Sequence, residues 1–459
     1  MSSQDAPQLS FDFLPHLPVV VQRSHGQLSS DAGLLPLRQF DQRWNYTARM
    51  ADCLHDPKPG RDQSLPSMLR QRLFGILAGY EDCNDHDTLR NDPVFKLIAG
   101  RLPEEKALAS QPTLSRFENL ATPAVLQKLI DFLIDTGIER LKQKHGGHLP
   151  ASITLDLDAT DDPTHGHQQL TLFHGYFGQY QYFPLILSEP TTKHVLVAWL
   201  RPGTVHAALG ADDDLMRVVN ALRKARPDVA IHLRGDAGFG VPWMYKICEE
   251  NGLTYTFGFS SNDRLKRLTE GLMDRAVGRY AQTQQKQRLF ECFEYQADTW
   301  DHPRKVITKA ECHEQGTNLR FVITNLPAMP SPSDWPSDPV AQLVYDDYIQ
   351  RGESEQRMDE LKNGLHMDRL SCHRFMANFF RLLLHTAAMN LLNAARDDQD
   401  VPEVLRVAQP CTWRTHVIKV AAVIIQSTRR ILVKLAAHWP WWPLYQTAAR
   451  RALNFSCGP

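Results

Sequence analysis

The strongest constraint on the fold is a change of period just after Gly146-Gly147. Upstream, apolar residues recur at helical intervals; from Ile153 they alternate, with Ile153, Leu155 and Leu157 between Thr154, Asp156 and Asp158. A period of two specifies a strand and places both aspartates on the same face. Such an acidic pair is costly to bury unpaired, so it belongs at a strand end facing a metal or a cleft. Thr160-Asp-Asp-Pro163 then ends the strand. Aromatic-rich extended segments follow at Leu170–Tyr176, Tyr182–Leu187 and His194–Leu200, predicting two strands antiparallel to the first plus an extension. Asp212–Arg226 has helical spacing, and Val229–Leu233 is a short apolar strand delivering Arg234-Gly-Asp236. Asp236 therefore falls at the C-terminal end of a strand, where α/β sheets place their chemistry. A helix (Pro242–Asn251) and a further strand (Leu253–Phe259) complete the run.

The stretch Tyr348–Lys362 reads as an amphipathic helix, with Leu343, Val344, Met358, Leu361 and Leu365 on its apolar side. Its single weak point is Gly352, which costs about 1 kcal/mol relative to Ala. At 100° per residue, Tyr348, Arg351, Glu355 and Lys362 share a sector of roughly 60°. One face so carries a phenol, two cations and a carboxylate. A solvated charged face would hold the same residue types.

Composition narrows the setting. The chain has 459 residues, 42% hydrophobic and 22% charged, enough for two or three domains with a large core. A net charge of -1 excludes a global basic field, so contact with nucleic acid must come from local clusters. The C-terminal part holds one: after Glu403 come Arg406, Arg414, Lys419, Arg429, Arg430, Lys434, Arg450 and Arg451, with no Asp or Glu. Eight scattered cysteines lack zinc-site spacing, and His165 and His167 read as a polar turn. With neither export signal nor membrane span in view, the expected setting is a reducing cytoplasm.

The flanking regions divide the chain further. Residues 1–30 suggest an arm or small hairpin, and helical patterns run from Ser29 to Leu141, with Ser30-Asp31 as a cap, then Leu65–Gly79 and a segment starting at Pro123. Ser110–Asn119 is a short helix with Arg116 and Asn119 on its polar side; DNA reading, a lid and a dimer contact all remain open. Gly79–Asp87 reads as a polar interhelical loop. Strand-like runs at Arg288–Tyr295, Lys305–Cys312 and Leu319–Thr324 precede a Pro-rich linker, Pro327–Pro339. The tail from Arg374 is helical, with Val417–Leu435 expected as a basic-faced helix. The expected divisions are 1–148 (N-terminal arm and helical DNA-binding region), 149–262 and 339–400 (the two parts of a catalytic domain), 263–338 (strand-rich insertion) and 401–459 (basic helical C-terminal region).

Together these motifs resemble the DDE insertion-sequence transposases of the Tyr-Arg-Glu-Lys signature group. Three strands, helix, strand, helix, strand is the order of their RNase H-like catalytic domain. Asp158-Ala-Thr160 matches the first Asp motif, Gly235-Asp236-Ala-Gly-Phe239 the second, and Glu355 the third acid, with Tyr348, Arg351 and Lys362 as companions. The resemblance implies an α/β fold: an RNase H-like domain with a strand-rich insertion, a mostly helical N-terminal region and a helical C-terminal tail. It implies Asp158, Asp236 and Glu355 as catalytic ligands of two Mg²⁺, with Mn²⁺ as the alternative metal, and Tyr348, Arg351 and Lys362 as DNA contacts. Asp156 competes with Asp158 for the first position, which the following Thr160 favours for Asp158. The activity implied is binding of element ends, two-metal cleavage and joining of 3′-OH ends to target DNA. Its partners are double-stranded DNA and a second copy of the chain in the synaptic complex, without a membrane. A nuclease without strand transfer, a non-catalytic DNA-binding relative and a carboxylate glycosidase are the competing classes.

Overall fold

A computed structural model of the chain describes residues 9–11, 17, 19–21, 26–55, 62–327, 330–331, 336–397 and 401–455. A hairpin of β1 (Leu9–Phe11) and β2 (Val19–Val21) precedes β3 (Gln27–Ser29), in line with the expected arm. Seven helices follow: α1 (Leu34–Trp44), α2 (Tyr46–Asp52), α3 (Leu65–Ala78), α4 (His86–Leu89), α5 (Pro93–Ile98), α6 (Gln111–Glu118) and α7 (Pro123–Lys144). Local chemistry sets their ends. Ser64 and Thr122 accept the N–H of Ser67 and Val125, a proline opens the first turn of each helix, and Gly79 ends α3 at φ 86°. Ser30-Asp31 is not a cap: α1 starts after Gly33 without a side-chain cap, and Asp31 instead pairs with Lys419 at 2.6 Å.

The sheet region comprises β4 (Ser152–Ala159), β5 (Asp162–Pro163), β6 (Leu172–His174), β7 (Gln179–Tyr182), β8 (Leu185–Glu189) and β9 (His194–Trp199). Then come α8 (Ala211–Ala225), β10 (Ala230–Gly235), α9 (Pro242–Glu250) and β11 (Thr254–Phe259). Five of these strands lie in the order β9-β8-β4-β10-β11, with β4 parallel to β10 and β10 parallel to β11. That is the RNase H-like arrangement. The extension seen in the sequence is a separate small sheet, β5-β7-β6.

The insertion opens with two helices that its strand-like sequence does not announce, α10 (Asp263–Leu268) and α11 (Glu270–Thr283). Its strands β12 (Gln287–Tyr295), β13 (Arg304–His313) and β14 (Gly316–Thr324) continue the main sheet antiparallel beyond β11, making eight strands. Leu272 and Ala276 of α11 pack on Leu289, Ala310 and Cys312. Part of the Pro-rich linker, residues 328–329 and 332–335, lies outside the described residues.

The signature stretch is not one helix. It runs as α12 (Pro339–Ile349), a break at Gln350-Arg351, α13 (Gly352–Asp359) and a π-helical turn over Glu360–Gly364. Gly352, lacking a side chain, sits where the break occurs.

The helix α14 (Phe375–Arg396) is buried on every side from Ala377 onward and packs on α3, α7 and β9. Burial all round requires each polar group to find a partner. Asn390 donates to the Val195 carbonyl at 2.8 Å and accepts from its N–H at 2.9 Å, closing the edge strand β9 as another strand would. Beyond it lie α15 (Glu403–Arg406), α16 (Pro410–Trp413), β15 (Ala422–Gln426), β16 (Ile431–Leu435) and α17 (Trp442–Asn454). The predicted helix over Val417–Leu435 is therefore wrong. The segment is a hairpin whose first strand pairs with β3, burying Ala422 and Ile424 and exposing Val423 and Ile425. Its β-branched residues suit a pleated surface, and a strand more than 390 positions upstream provides the pairing.

Candidate active site

Two neighbouring strands and one broken helix build the site. The register of β4 and β10 sets Arg234 beside Asp156 and Gly235 beside Leu157. One residue further come Asp158, near the C-terminal end of β4, and Asp236, just past that of β10, near enough for the Asp236 charge to act on Asp158. Gly238 N–H donates to Asp236 Oδ1 at 2.8 Å and Ala159 N–H to Asp158 Oδ1 at 3.0 Å, so each carboxylate keeps its other oxygen for the cleft.

From the signature segment, Arg351 extends Nη1 to 3.5 Å from Asp158 Oδ2 and Nη2 to 2.9 Å from Glu355 Oε1. The Asp158 side chain is 12% exposed and that of Glu355 67%. Burial pushes the pKa of Asp158 up to about 6; Asp236 and Glu355 add to the rise, and Arg351 opposes it. Burial works against the Arg351 charge, yet Tyr348, Asp158, Glu355 and Asp236 outweigh it and hold its pKa above the ordinary value. Asp158, Asp236, Glu355 and Tyr348, four of the six residues expected at the site, thus surround the guanidinium of a fifth, Arg351.

Tyr348 approaches from α12. A Cβ at Gly258 of β11 would lie 2.8 Å from its hydroxyl and 2.7 Å from the Ala237 nitrogen, so only glycine leaves room for the phenol beside the turn after Asp236. Lys362 sits apart, on the π-helical turn. Its Nζ donates to Asp161 Oδ1 at 2.9 Å, to the Asp161 carbonyl at 2.8 Å and to Thr160 Oγ1 at 3.3 Å. It fastens the loop that follows Asp158.

The ambiguity between the two aspartates takes a physical form. Asp156 is fully buried and held by Arg234 at 2.8 and 3.2 Å and by Arg357 at 2.5 Å. Sequence reasoning missed both arginines. A signal existed, since Arg234 precedes Asp236, and Arg357 follows Glu355, by the same two positions that separate Asp156 from Asp158.

As they stand, no three His, Cys, Asp or Glu side chains among the described residues are grouped to hold a metal ion. At Asp158 and Glu355 the place between the carboxylates is bridged by Arg351. The donor set nevertheless fits Mg²⁺ or Mn²⁺: hard oxygen ligands, one of them disfavoured as an anion by burial and by its neighbours, and stabilised by added positive charge.

A family profile described as transposase DDE domain, group 1, matches residues 11–456. The chain belongs to the DDE transposase family. No curated protein matches this family member. Among solved structures it is similar to the piggyBac transposase in a synaptic complex with hairpin DNA, determined by cryo-electron microscopy. The identity is 13%, over 81% of this chain and 77% of that one, with a TM-score of 0.42. Among the described residues of this transposase-family chain, no helix is long and apolar enough to cross a membrane.

The short helix expected at Ser110–Asn119 is α6, and its Gln111 and Ser115, with Asn119 just past its end, line a separate polar cleft of about 380 Å³ with Ser371, His373 and Arg374. The loop expected at Gly79–Asp87 is partly helical, through a 3₁₀ turn at Cys83–Asp85 and the start of α4.

Proposed function

We propose that the chain cuts DNA at the ends of its mobile element and joins the freed 3′-OH ends to target DNA, with Asp158, Asp236 and Glu355 as the catalytic carboxylates. One observation carries the reading: β4 and β10 run side by side to Leu157 and Gly235, the Asp236 that follows is near enough for its charge to act on Asp158, and Arg351 ties Asp158 to Glu355 from a third element. These three residues would hold two Mg²⁺, or Mn²⁺. Bound there, a metal pair supplies activation of the attacking oxygen and stabilisation of the leaving oxygen. Asp156, neutralised by two arginines, is left out of the ligand set.

The remaining residues position the strand. With Asp158 and Glu355 holding metal, Arg351 would be left to contact a phosphate beside the scissile bond. Tyr348 donates a hydrogen bond to a neighbouring phosphate. Lys362 shares its charge between Asp161 and the backbone of the DNA. Residues 1–148 and the basic tail 401–459 provide surface for end recognition outside the catalytic parts 149–262 and 339–400 and the insertion 263–338. Two copies meet across paired ends.

The test is incubation of the purified chain with a plasmid carrying the DNA that flanks its own coding sequence, in Mg²⁺ or in EDTA. Metal-dependent nicking followed by strand transfer is expected. Nicking without transfer in any condition would reduce the function to a nuclease, and cleavage undiminished in EDTA would overturn the carboxylate reading.

A further inference from the structure

A second charged triad lies directly beneath the first. Asp156 is two residues before Asp158 on β4, Arg234 two before Asp236 on β10, and Arg357 two after Glu355 on α13. Strand alternation puts Asp156 on the same sheet face as Asp158 and Arg234 on the side of Asp236; Arg357, on a helix, points away from Glu355 and inward to Asp156. The three lower residues meet: both oxygens of Asp156 are taken by Arg234, and its Oδ2 also accepts from Arg357. Arg234 Nη1 further donates to the Asp347 carbonyl at 2.8 Å, reaching α12, the helix that carries Tyr348. One buried carboxylate thereby ties together the two strands and both halves of the broken signature helix.

We propose that Asp156, Arg234 and Arg357 are positioning residues that set the places of Asp158, Asp236 and Glu355, so that the three carboxylates can close on metal. The inference rests on the carboxylate reading above. Three observations carry it. The contacts to Asp156 lie between 2.5 and 3.2 Å. The side chains of all three are at most 7% exposed, so their geometry is screened little by water. Finally, Arg357 is poorly placed for stability alone: its Nε is buried without a hydrogen-bond partner, and its Nη1 has only the largely exposed Glu353 carboxylate at 3.9 Å. A buried ion group with unsatisfied donors is often no better for stability than apolar packing, so what it contributes is register. The element it registers is α13, which follows the break at Gln350-Arg351 and has no continuous helix to hold Glu355 at a fixed phase.

The test measures Mn²⁺ binding to the full chain by electron paramagnetic resonance, with thermal unfolding alongside. Arg357→Met is expected to weaken Mn²⁺ binding by about tenfold or more, as loss of a residue supporting a metal ligand does, while Arg357→Lys, which keeps the charge, recovers part of it. Glu355→Gln is the control. If Glu355→Gln loses Mn²⁺ and Arg357→Met keeps it, the lower triad serves folding only and the inference falls. If wild type and Glu355→Gln bind Mn²⁺ alike, the carboxylate reading itself falls. Should Arg357→Met fail to fold, the hydrogen-bonding pair Asp156→Asn with Arg357→Gln decides on the same readout: weakened binding supports the triad, and unchanged binding overturns it.

Discussion

Asp156 and Asp158 share a strand face and a residue type, and their neighbours assign them opposite work. Asp158→Asn should leave a folded chain that binds DNA ends and no longer cleaves them, measured as nicking of the plasmid in Mg²⁺. Asp156→Asn leaves two buried guanidinium groups without their carboxylate, a loss of about 3–5 kcal/mol, and should appear first as a lowered thermal midpoint. Equal midpoints for the two variants would contradict the division. Lys362 makes a different case, since its charge is already shared with Asp161. Lys362→Ala should weaken binding of DNA ends and lower the slope of log affinity against log salt by roughly 1. Adding Asp161→Asn should restore part of the affinity, because the bare carboxylate would otherwise face phosphate. An unchanged salt slope in Lys362→Ala would confine the lysine to holding the loop.

At the scale of elements, the break between α12 and α13 matters most. A continuous helix would carry Tyr348, Arg351, Glu355 and Lys362 on one stripe; the break gathers the first three at the carboxylates and sends the fourth to the loop after β4. The neighbouring strand is shaped to receive this arrangement at Gly258. Gly258→Ala must push against the Ala237 nitrogen, which is backbone, as well as the Tyr348 hydroxyl. Its expected effect is a cleavage rate reduced by about tenfold or more from displaced reacting groups, with circular dichroism unchanged. Tyr348→Phe, which removes only a hydroxyl, should cost less in the same assay. If Gly258→Ala cleaves at the wild-type rate, the phenol and the turn after Asp236 have no part in setting the site.

For the whole molecule, the main sheet and the helical N-terminal region are joined by α14, and a buried charge group fastens that joint. Glu118 of α6 lies between Arg72 of α3 at 2.8 Å and Arg381 of α14 at 2.7 Å. Burial alone would raise its pKa, but the two arginines overcome that and hold it down at about 2. A carboxylate depressed in the folded state contributes stability that is present above its unfolded pKa of roughly 4.3 and is lost as the pH falls toward the folded value. Glu118→Gln should therefore destabilise by about 3–5 kcal/mol at neutral pH. The gap to wild type should narrow below about pH 4 and close near pH 2, as followed by urea unfolding across that range. A gap independent of pH would assign the loss to packing rather than charge.

The order of main-sheet strands and helices from β4 to β11 is legible in the sequence, because hydrophobic period is a local property. The terminal positions of Asp158 and Asp236 came with that order, and Glu355 came with its spacing from Tyr348, Arg351 and Lys362. Long-range contacts decided the rest. Val417–Leu435 is a hairpin because β3 is there to pair with it, and nothing within the segment announces that partner. Two aspartates on one strand face, of which the sequence favoured Asp158 only through Thr160, were given different surroundings by Arg234 and Arg357, 78 and 201 positions from Asp156 in the chain. The helical phase of the signature is interrupted at Gln350-Arg351, and there tertiary contacts sort its side chains: Tyr348, Arg351 and Glu355 meet beside Asp158, while Lys362 goes to Asp161. Local period can be read along the chain; which charge neutralises which is known only once distant segments share one interior.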